Sequence, residues 1–140
     1  MLAKQESRLM NATNGKNPQK QTVLVVDDAP AMASLIMDIL DSAGYEVIHA
    51  SEGKSAVKMA LKEKPQLVLL DIIVPEMDGI EVCRAIRTHP QTSYLKIIMV
   101  TCLNNQKSYD DAMAAGASEY VVKPFTKKQL LETVRTVLDS

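Results

Sequence analysis

The sequence has few cysteines, few aromatic residues and no long apolar stretch. Cys83 and Cys102 are the only cysteines among 140 residues, too few and too far apart for a disulfide framework or a zinc cluster. Both thiols are therefore expected to pack in the core of a protein from a reducing compartment. No segment reaches the roughly 18 apolar residues of a membrane span, and the N-terminus lacks the apolar middle of a signal peptide. The composition predicts a cytoplasmic protein that does not insert into a membrane.

An excess of charge of one sign is also missing. The chain has 16 lysines and arginines against 17 aspartates and glutamates, a formal net charge of -1. Proteins that bind nucleic acid or anionic membranes through bulk electrostatics carry a strongly basic surface. We therefore expect neither direct nucleic-acid binding nor membrane binding.

The first 21 residues differ in composition from the rest. Residues 1–21 are rich in Asn, Gln and Lys, with four basic side chains and one acidic one, which is typical of a flexible arm. The apolar periodicity lies in residues 22–140, and a 140-residue chain that is 46% hydrophobic suits one globular domain. The expected organisation is a flexible arm over 1–21 and one domain over 22–140.

Five short apolar runs alternate with segments of helical spacing. Continuous apolar runs are typical of parallel strands buried on both faces, and they are VLVV (23–26), YEVIHA (45–50), LVLL (67–70), KIIMV (96–100) and EYVV (119–122). The helices are predicted at about 30–43, 53–64, 79–88, 105–115 and from 126 to the chain end. Asp28 is expected to cap the first helix, and Thr126 with Gln129 has the spacing of a capping box. Leu35 belongs to the apolar stripe predicted to face the core.

Five β-α units of this length predict a doubly wound, flavodoxin-like α/β fold, with a parallel sheet of order 2-1-3-4-5 flanked by five helices. Ligands in such sheets bind beyond the carboxyl ends of the strands, at the point where the strand order reverses. The second strand ends in Ala50 and contributes nothing there. The polar residues that end the other strands are Asp27, Asp28, Asp71, Thr101 and Lys123.

Because the first and third strands are neighbours in this order, Asp27, Asp28 and Asp71 are expected to share one shallow pocket. Carboxylates that close together need a cation, and Mg²⁺ prefers oxygen ligands of this kind. Lys123 and Thr101 would supply an ammonium and a hydroxyl to phosphate oxygens. The set suits phosphoryl transfer to Asp71 as nucleophile. Taken alone, however, an acidic doublet is more often a helix cap and a solvated neighbour, and a lone lysine is often surface charge.

Four segments carry a family resemblance: VLVVDDAP, LVLLDIIVPEMDGIEVCRAIR, IIMVT and AGASEYVVKPF. They resemble the receiver domains of bacterial two-component response regulators, of the single-domain, chemotaxis-regulator-like type. The resemblance implies that Asp71 accepts a phosphoryl group from a sensor histidine kinase or a histidine phosphotransfer protein. It also implies Mg²⁺ binding by Asp28, Asp71 and the carbonyl of Ile73, with Asp27 acting mainly through water.

The resemblance further implies a switch. Thr101 and Lys123 would hold the phosphoryl oxygens, Lys123–Pro124 would be a cis peptide, and Tyr120 would move inward as Thr101 turns toward the phosphate. The signal would emerge at residues 105–140 toward an unknown protein target. The resting protein is expected to be a monomer that can dimerise on phosphorylation. It is also expected to be a signalling domain that phosphorylates and dephosphorylates itself and is not a turnover enzyme.

Competing functions fit the motifs less well. A flavin carrier needs a hydroxyl- and glycine-rich loop after the first strand, where this chain has two acids. A phosphatase of the haloacid dehalogenase type needs a second acid two residues beyond its nucleophile, where Ile73 stands. The remaining alternative is a receiver-like interaction module that works without phosphorylation. No output module is recognisable after the fifth helix, so a single-domain regulator and an excised receiver both stay open.

Overall fold

The computed structural model describes residues 20–140, in which strands and helices alternate strictly. The strands are β1 (Thr22–Val26), β2 (Glu46–Ala50), β3 (Leu67–Leu70), β4 (Lys96–Thr101) and β5 (Glu119–Val122). The helices are α1 (Pro30–Ser42), α2 (Gly53–Glu63), α3 (Gly79–Thr88), α4 (Gln106–Ala114) and α5 (Lys127–Leu138). The predicted flexible arm lies, except for residues 20 and 21, outside the described part of the chain.

The strands form one parallel sheet of order β2-β1-β3-β4-β5, which confirms the predicted fold class. β1 lies between β2 and β3, and Val26 pairs with Ala50 on one side and with Leu70 on the other. The next backbone bonds continue this ladder, because the Asp71 N–H donates to the Val26 carbonyl at 3.0 Å. The two acidic strand ends therefore lie side by side.

Alternate residues of each strand pack on opposite faces of the sheet, so the domain has two apolar clusters. Leu24 and Val26 lie in the cluster covered by α2, α3 and α4, whereas Val23 and Val25 lie in the cluster covered by α1 and α5. Burying a large aliphatic side chain stabilises a fold by about 1.5–3 kcal/mol. Helices packed on both faces leave the carboxyl edge of the sheet as the place where polar side chains can gather.

The helix ends agree with the sequence at α5 and differ at α1. Thr126 and Gln129 form the predicted capping box at the start of α5. The prediction that Asp28 caps α1 is wrong, because the N-cap is Ala29, whose side chain has no acceptor, and Pro30 follows it without an N–H. None of the helices within residues 20–140 combines the length and apolar character of a membrane span.

Three apolar side chains are more exposed than the sequence predicts. Leu35 is 49% exposed, because Ala33 with Ile36 and Leu40 forms the buried stripe of α1. Cys102 is exposed, whereas Cys83 is buried as expected. Val122 lies on β5, at the edge of the sheet formed by the described residues, and is 38% exposed.

Candidate functional site

The site begins where β1, β3 and β5 end. Asp27 directly follows β1, Asp71 directly follows β3, and Lys123 directly follows β5. The Lys123 N–H donates to the Thr101 carbonyl at 2.8 Å, which keeps the end of β5 beside the end of β4. The parallel ladder thus brings the predicted strand-end residues Asp27, Asp71, Thr101 and Lys123 to one edge of the sheet.

Two carboxylates converge on a single ammonium group. Lys123 Nζ donates to Asp27 Oδ2 and to Asp71 Oδ2, each at 2.7 Å. The lysine side chain is 13% exposed, and the side chains of Asp27 and Asp71 are 2% and 9% exposed. Charge-assisted hydrogen bonds of this length in a partly dry pocket are strong and directional.

The other carboxylate oxygens are held by the backbone. Asp27 Oδ1 accepts the Ala29 N–H at 3.0 Å, and Asp71 Oδ1 accepts the Ile73 N–H at 3.1 Å. Among residues 20–140, no buried side-chain nitrogen or oxygen lacks a hydrogen-bond partner. Asp71 therefore points one oxygen at its own loop and the other at the shared cation.

The Lys123 ammonium titrates at a higher pH than an ordinary lysine. Burial alone would lower the pKa of Lys123, but the hydrogen bonds and negative charges of Asp27 and Asp71 outweigh burial and raise it above its usual value of 10.5. Lys123 is thus a permanent cation at neutral pH.

Asp28 is placed differently from the other two acids. Its side chain is exposed, and within residues 20–140 no set of three or more His, Cys, Asp or Glu side chains is arranged to hold a metal ion. Two of the three predicted carboxylates converge, not all three. The donor chemistry nevertheless fits a hard cation, because the oxygens of Asp27 and Asp71 approach one positive centre and Asp28 is the next residue along the chain.

Thr101 and Tyr120 are connected through Leu103. The fully buried Thr101 accepts the Leu103 N–H on Oγ1 at 3.4 Å, and the Tyr120 hydroxyl donates to the Leu103 carbonyl at 2.6 Å. Tyr120 also meets Tyr109 edge to face, with ring centroids 5.5 Å apart. Burial, and next the charge of Asp71, raises the pKa of Tyr120, so its phenol remains a donor at neutral pH. The two residues predicted as a switch therefore share one loop residue.

The loop after β3 is packed against the start of α3. A Cβ on Gly79 would lie 2.2 Å from the Asp71 carbonyl oxygen and 2.6 Å from the Ile72 Cα, and real side chains do not approach backbone atoms that closely. The Gly79 N–H also donates to the Ile72 carbonyl at 2.8 Å. The Lys123–Pro124 peptide bond on the opposite side of the site is cis.

One contact was missed by the reasoning from sequence. His49, near the end of β2, places Nε2 3.0 Å from the Asp27 carbonyl oxygen, although β2 was expected to contribute nothing. A polar residue within one position of a strand end, beside a strand that ends in an acid, is the signal that identifies it.

A doubly wound parallel sheet with paired acids and a lysine at its switch point defines a class of α/β domains built around an acidic pocket. Residues 23–135 match the family model described as the response regulator receiver domain. The chain belongs to the response regulator receiver domain family.

Individual relatives agree with this assignment. The chain is 41% identical over 120 residues to the "Probable transcriptional regulator ycf27" of Pyropia yezoensis, which covers 86% of this chain and 48% of that protein. It thus spans about half the length of the curated relatives it matches.

Solved structures are similar over nearly their whole length. The chemotaxis protein CheY4 of Vibrio cholerae has a TM-score of 0.80 at 32% identity, covering 84% of this chain and 98% of that chain. The receiver domain of the sensor histidine kinase PA1611 of Pseudomonas aeruginosa PAO1, solved with a magnesium ion in its active site cleft, has a TM-score of 0.81 at 29% identity. That alignment covers 86% of this chain and 99% of that chain.

Proposed function

We propose that Asp71 accepts a phosphoryl group from the phosphohistidine of a sensor histidine kinase or a histidine phosphotransfer protein. The observation that carries this proposal is the convergence of Asp71 Oδ2 and Asp27 Oδ2 on Lys123 Nζ, each at 2.7 Å. In the transfer, a carboxylate oxygen of Asp71 bonds to phosphorus, and the bond between phosphorus and the histidine nitrogen breaks. The electron pair of that bond stays on the imidazole.

Most of the catalysis in such a transfer is positioning and charge neutralisation. The Ile73 N–H fixes Asp71 Oδ1 at 3.1 Å, so Oδ2 is the oxygen that faces Lys123. Lys123 lies within reach of an oxygen carried by Asp71, and its raised pKa keeps it charged throughout. Thr101 would donate its hydroxyl hydrogen to a second phosphoryl oxygen.

The acidic pocket is proposed to hold Mg²⁺. Asp28, Asp71 and the carbonyl of Ile73 would bind the ion, and Asp27 would act mainly through water. When bound, Mg²⁺ neutralises the charge on the phosphoryl oxygens. The magnesium ion in the active site cleft of the PA1611 receiver domain supports this choice of metal.

Phosphorylation is proposed to change the surface formed by α4, β5 and α5. If Thr101 turns to the phosphoryl group, the Leu103 N–H loses its 3.4 Å acceptor, and the Leu103 carbonyl that holds Tyr120 is free to shift with it. That surface would then bind an unidentified protein target, with a resting monomer that can dimerise on phosphorylation. The domain acts stoichiometrically, as a signalling protein whose acyl phosphate is lost to water, and not as a turnover enzyme.

The decisive experiment is phosphorylation by a small acyl-phosphate donor with Mg²⁺, followed by intact mass. Wild type is expected to gain one phosphoryl group, Asp71→Asn none, and the control Asp38→Asn, which changes an exposed acid on α1, one group as in wild type. A second receiver domain in the same reaction verifies that the donor is active. If wild type gains nothing under those conditions, the proposal fails, and a receiver-like module that works without phosphorylation becomes the better description.

A further inference from the structure

β2 contributes one side chain to the site, and that contact is not explained by packing. His49 pairs in register with Val25 on β1, yet its ring reaches beyond the strand end to the Asp27 carbonyl, with Nε2 3.0 Å from the oxygen. A carbonyl oxygen can only accept, so Nε2 must carry the hydrogen. His49 is itself exposed and lies on an edge strand. Its ring nitrogen could therefore bond to water, so the hydrogen bond to Asp27 is not required to satisfy a buried polar group.

The accepting carbonyl has a special position. It belongs to the peptide group that joins Asp27 to Asp28, and this group is planar. Fixing its oxygen therefore fixes the direction in which the chain enters Asp28. The rest of Asp27 is also held by hydrogen bonds. Its N–H donates to the Ala50 carbonyl at 3.2 Å, and its Oδ1 accepts the Ala29 N–H at 3.0 Å.

Asp28 lacks comparable support of its own. Its side chain is exposed and does not cap α1, so its position relative to Asp27 and Asp71 depends on the backbone that carries it. The peptide group held by His49 is the last element before that backbone. Groups that orient a metal ligand without touching the metal strongly affect metal affinity.

We propose that His49 is a positioning residue that holds the backbone of Asp28 beside the acidic pocket and thereby strengthens Mg²⁺ binding. This inference rests on the proposed Mg²⁺-dependent phosphorylation of Asp71. His49 would act through its hydrogen bond to the backbone and would not contact the metal or the phosphoryl group.

The chain allows a comparison that separates the hydrogen bond from the charge of the ring. His49→Gln keeps a donor at nearly the distance of Nε2, whereas His49→Phe keeps the planar shape and has no donor. Both variants remove the titratable ring, so they carry the same charge at every pH. His89→Phe is the control, since that ring accepts the Gln91 N–H at 3.2 Å near the end of α3, away from the acidic pocket.

Mg²⁺ binding is measured on the full chain by titration of backbone amide chemical shifts, because the sequence has no tryptophan to report by fluorescence. His49→Phe is expected to weaken Mg²⁺ affinity about tenfold, with His49→Gln and His89→Phe close to wild type. The Mg²⁺ concentration needed for phosphoryl uptake should rise in His49→Phe, while the rate at saturating Mg²⁺ and the thermal midpoint stay unchanged. A residue with a merely structural role would lower the midpoint instead.

The other possible results of these measurements reject either the role of His49 or the proposed function. If wild type binds Mg²⁺ and is phosphorylated on Asp71 but His49→Phe binds Mg²⁺ equally well, the role of His49 is wrong and the proposed function stands. Equal weakening in His49→Gln and His49→Phe also rejects the hydrogen bond as the cause. If wild type neither binds Mg²⁺ nor gains a phosphoryl group, the proposed function fails and this inference fails with it.

Discussion

The acidic pocket and the surface formed by α4 and β5 lie a few residues apart in the same domain, yet they are held in different ways. In the pocket, Asp27 and Asp71 each use both oxygens in hydrogen bonds, and Lys123 joins them. On the other surface, the Tyr120 side chain makes one hydrogen bond, to the Leu103 carbonyl, and one edge-to-face contact, with Tyr109.

The packing of the helices follows the same division. α4 buries only Ala112, whereas α5 buries Leu130, Val134 and Val137. Beside α4 and β5 lies an open surface cavity of about 210 Å³, lined by Asn104, Asn105, Gln106, Tyr109, Tyr120 and Val122. Elements with few buried contacts open at low free-energy cost. We therefore expect the chemical site to be the more rigid of the two regions and the surface beside it to open more easily.

Removing the Lys123 ammonium is expected to have the largest effect on the acidic pocket. Lys123→Met leaves two buried carboxylates without their cation, and breaking a buried ion pair from one side typically costs about 3–5 kcal/mol of unfolding free energy. We expect a loss near the lower end of that range by chemical denaturation, together with loss of phosphoryl uptake. Lys107→Met, which breaks a surface pair with Asp111 on α4, should have no measurable effect. Equal stability of the two variants would contradict the rigid-pocket description.

Gly79→Ala tests whether the loop of Asp71 tolerates displacement. The new Cβ would overlap the Asp71 carbonyl and Ile72 Cα, so the loop must shift at a cost of about 1–3 kcal/mol, and phosphoryl uptake should slow. Gly44→Ala is the matched control, because Gly44 has open space but a φ of +95°. That change should cost about 1 kcal/mol and leave phosphoryl uptake unchanged. If both variants are phosphorylated like wild type, the packing of Gly79 does not position Asp71.

The sequence was sufficient to predict the sheet order and the strand ends. Buried parallel strands are continuous apolar runs in the sequence, so the residues that end β1, β3, β4 and β5 follow from the pattern alone. Loop geometry was not predictable in the same way. Asp27 and Asp28 are consecutive, yet Asp27 is buried and bonds to Lys123 whereas Asp28 is exposed, a difference that depends on the backbone between β1 and α1.

Contacts between neighbouring elements were also harder to predict, because they depend on the strand order as well as on the local sequence pattern. His49 meets the Asp27 carbonyl only because β2 lies beside β1 and its ring extends past the strand end. Leu35 shows the limit of helical periodicity, because a small residue, Ala33, occupies the buried face in its place. Such outcomes depend on side-chain direction within the assembled fold.

Tyr120→Phe tests the surface formed by α4 and β5. The substitution removes the hydroxyl that donates to the Leu103 carbonyl at 2.6 Å, for a loss of about 1 kcal/mol or less. Phosphoryl uptake by Asp71 should stay at the wild-type rate, while amide hydrogen exchange in α4 becomes faster than in wild type and exchange in α5 does not change. A drop in phosphoryl uptake as large as that of Lys123→Met would show that the two regions are one rigid unit.

The smallest expected effect is the alkaline dependence of the pocket. The pKa of Lys123 in the folded state lies above its ordinary value of 10.5, so the folded protein binds this proton more tightly than the unfolded chain. The stability contributed by Lys123 is therefore fully present below the unfolded pKa and is lost as the pH rises through the folded pKa.

The raised pKa of Tyr120 acts in the same direction in wild type. The quantity to measure is therefore the difference in unfolding free energy between wild type and Lys123→Met, in which contributions common to both proteins largely cancel. This difference should be constant from about pH 8 to about pH 10 and should shrink at higher pH. A difference that instead grows above pH 10.5 would mean that the proton on Lys123 is not held by Asp27 and Asp71, and that the pocket is less tightly paired than its hydrogen bonds indicate.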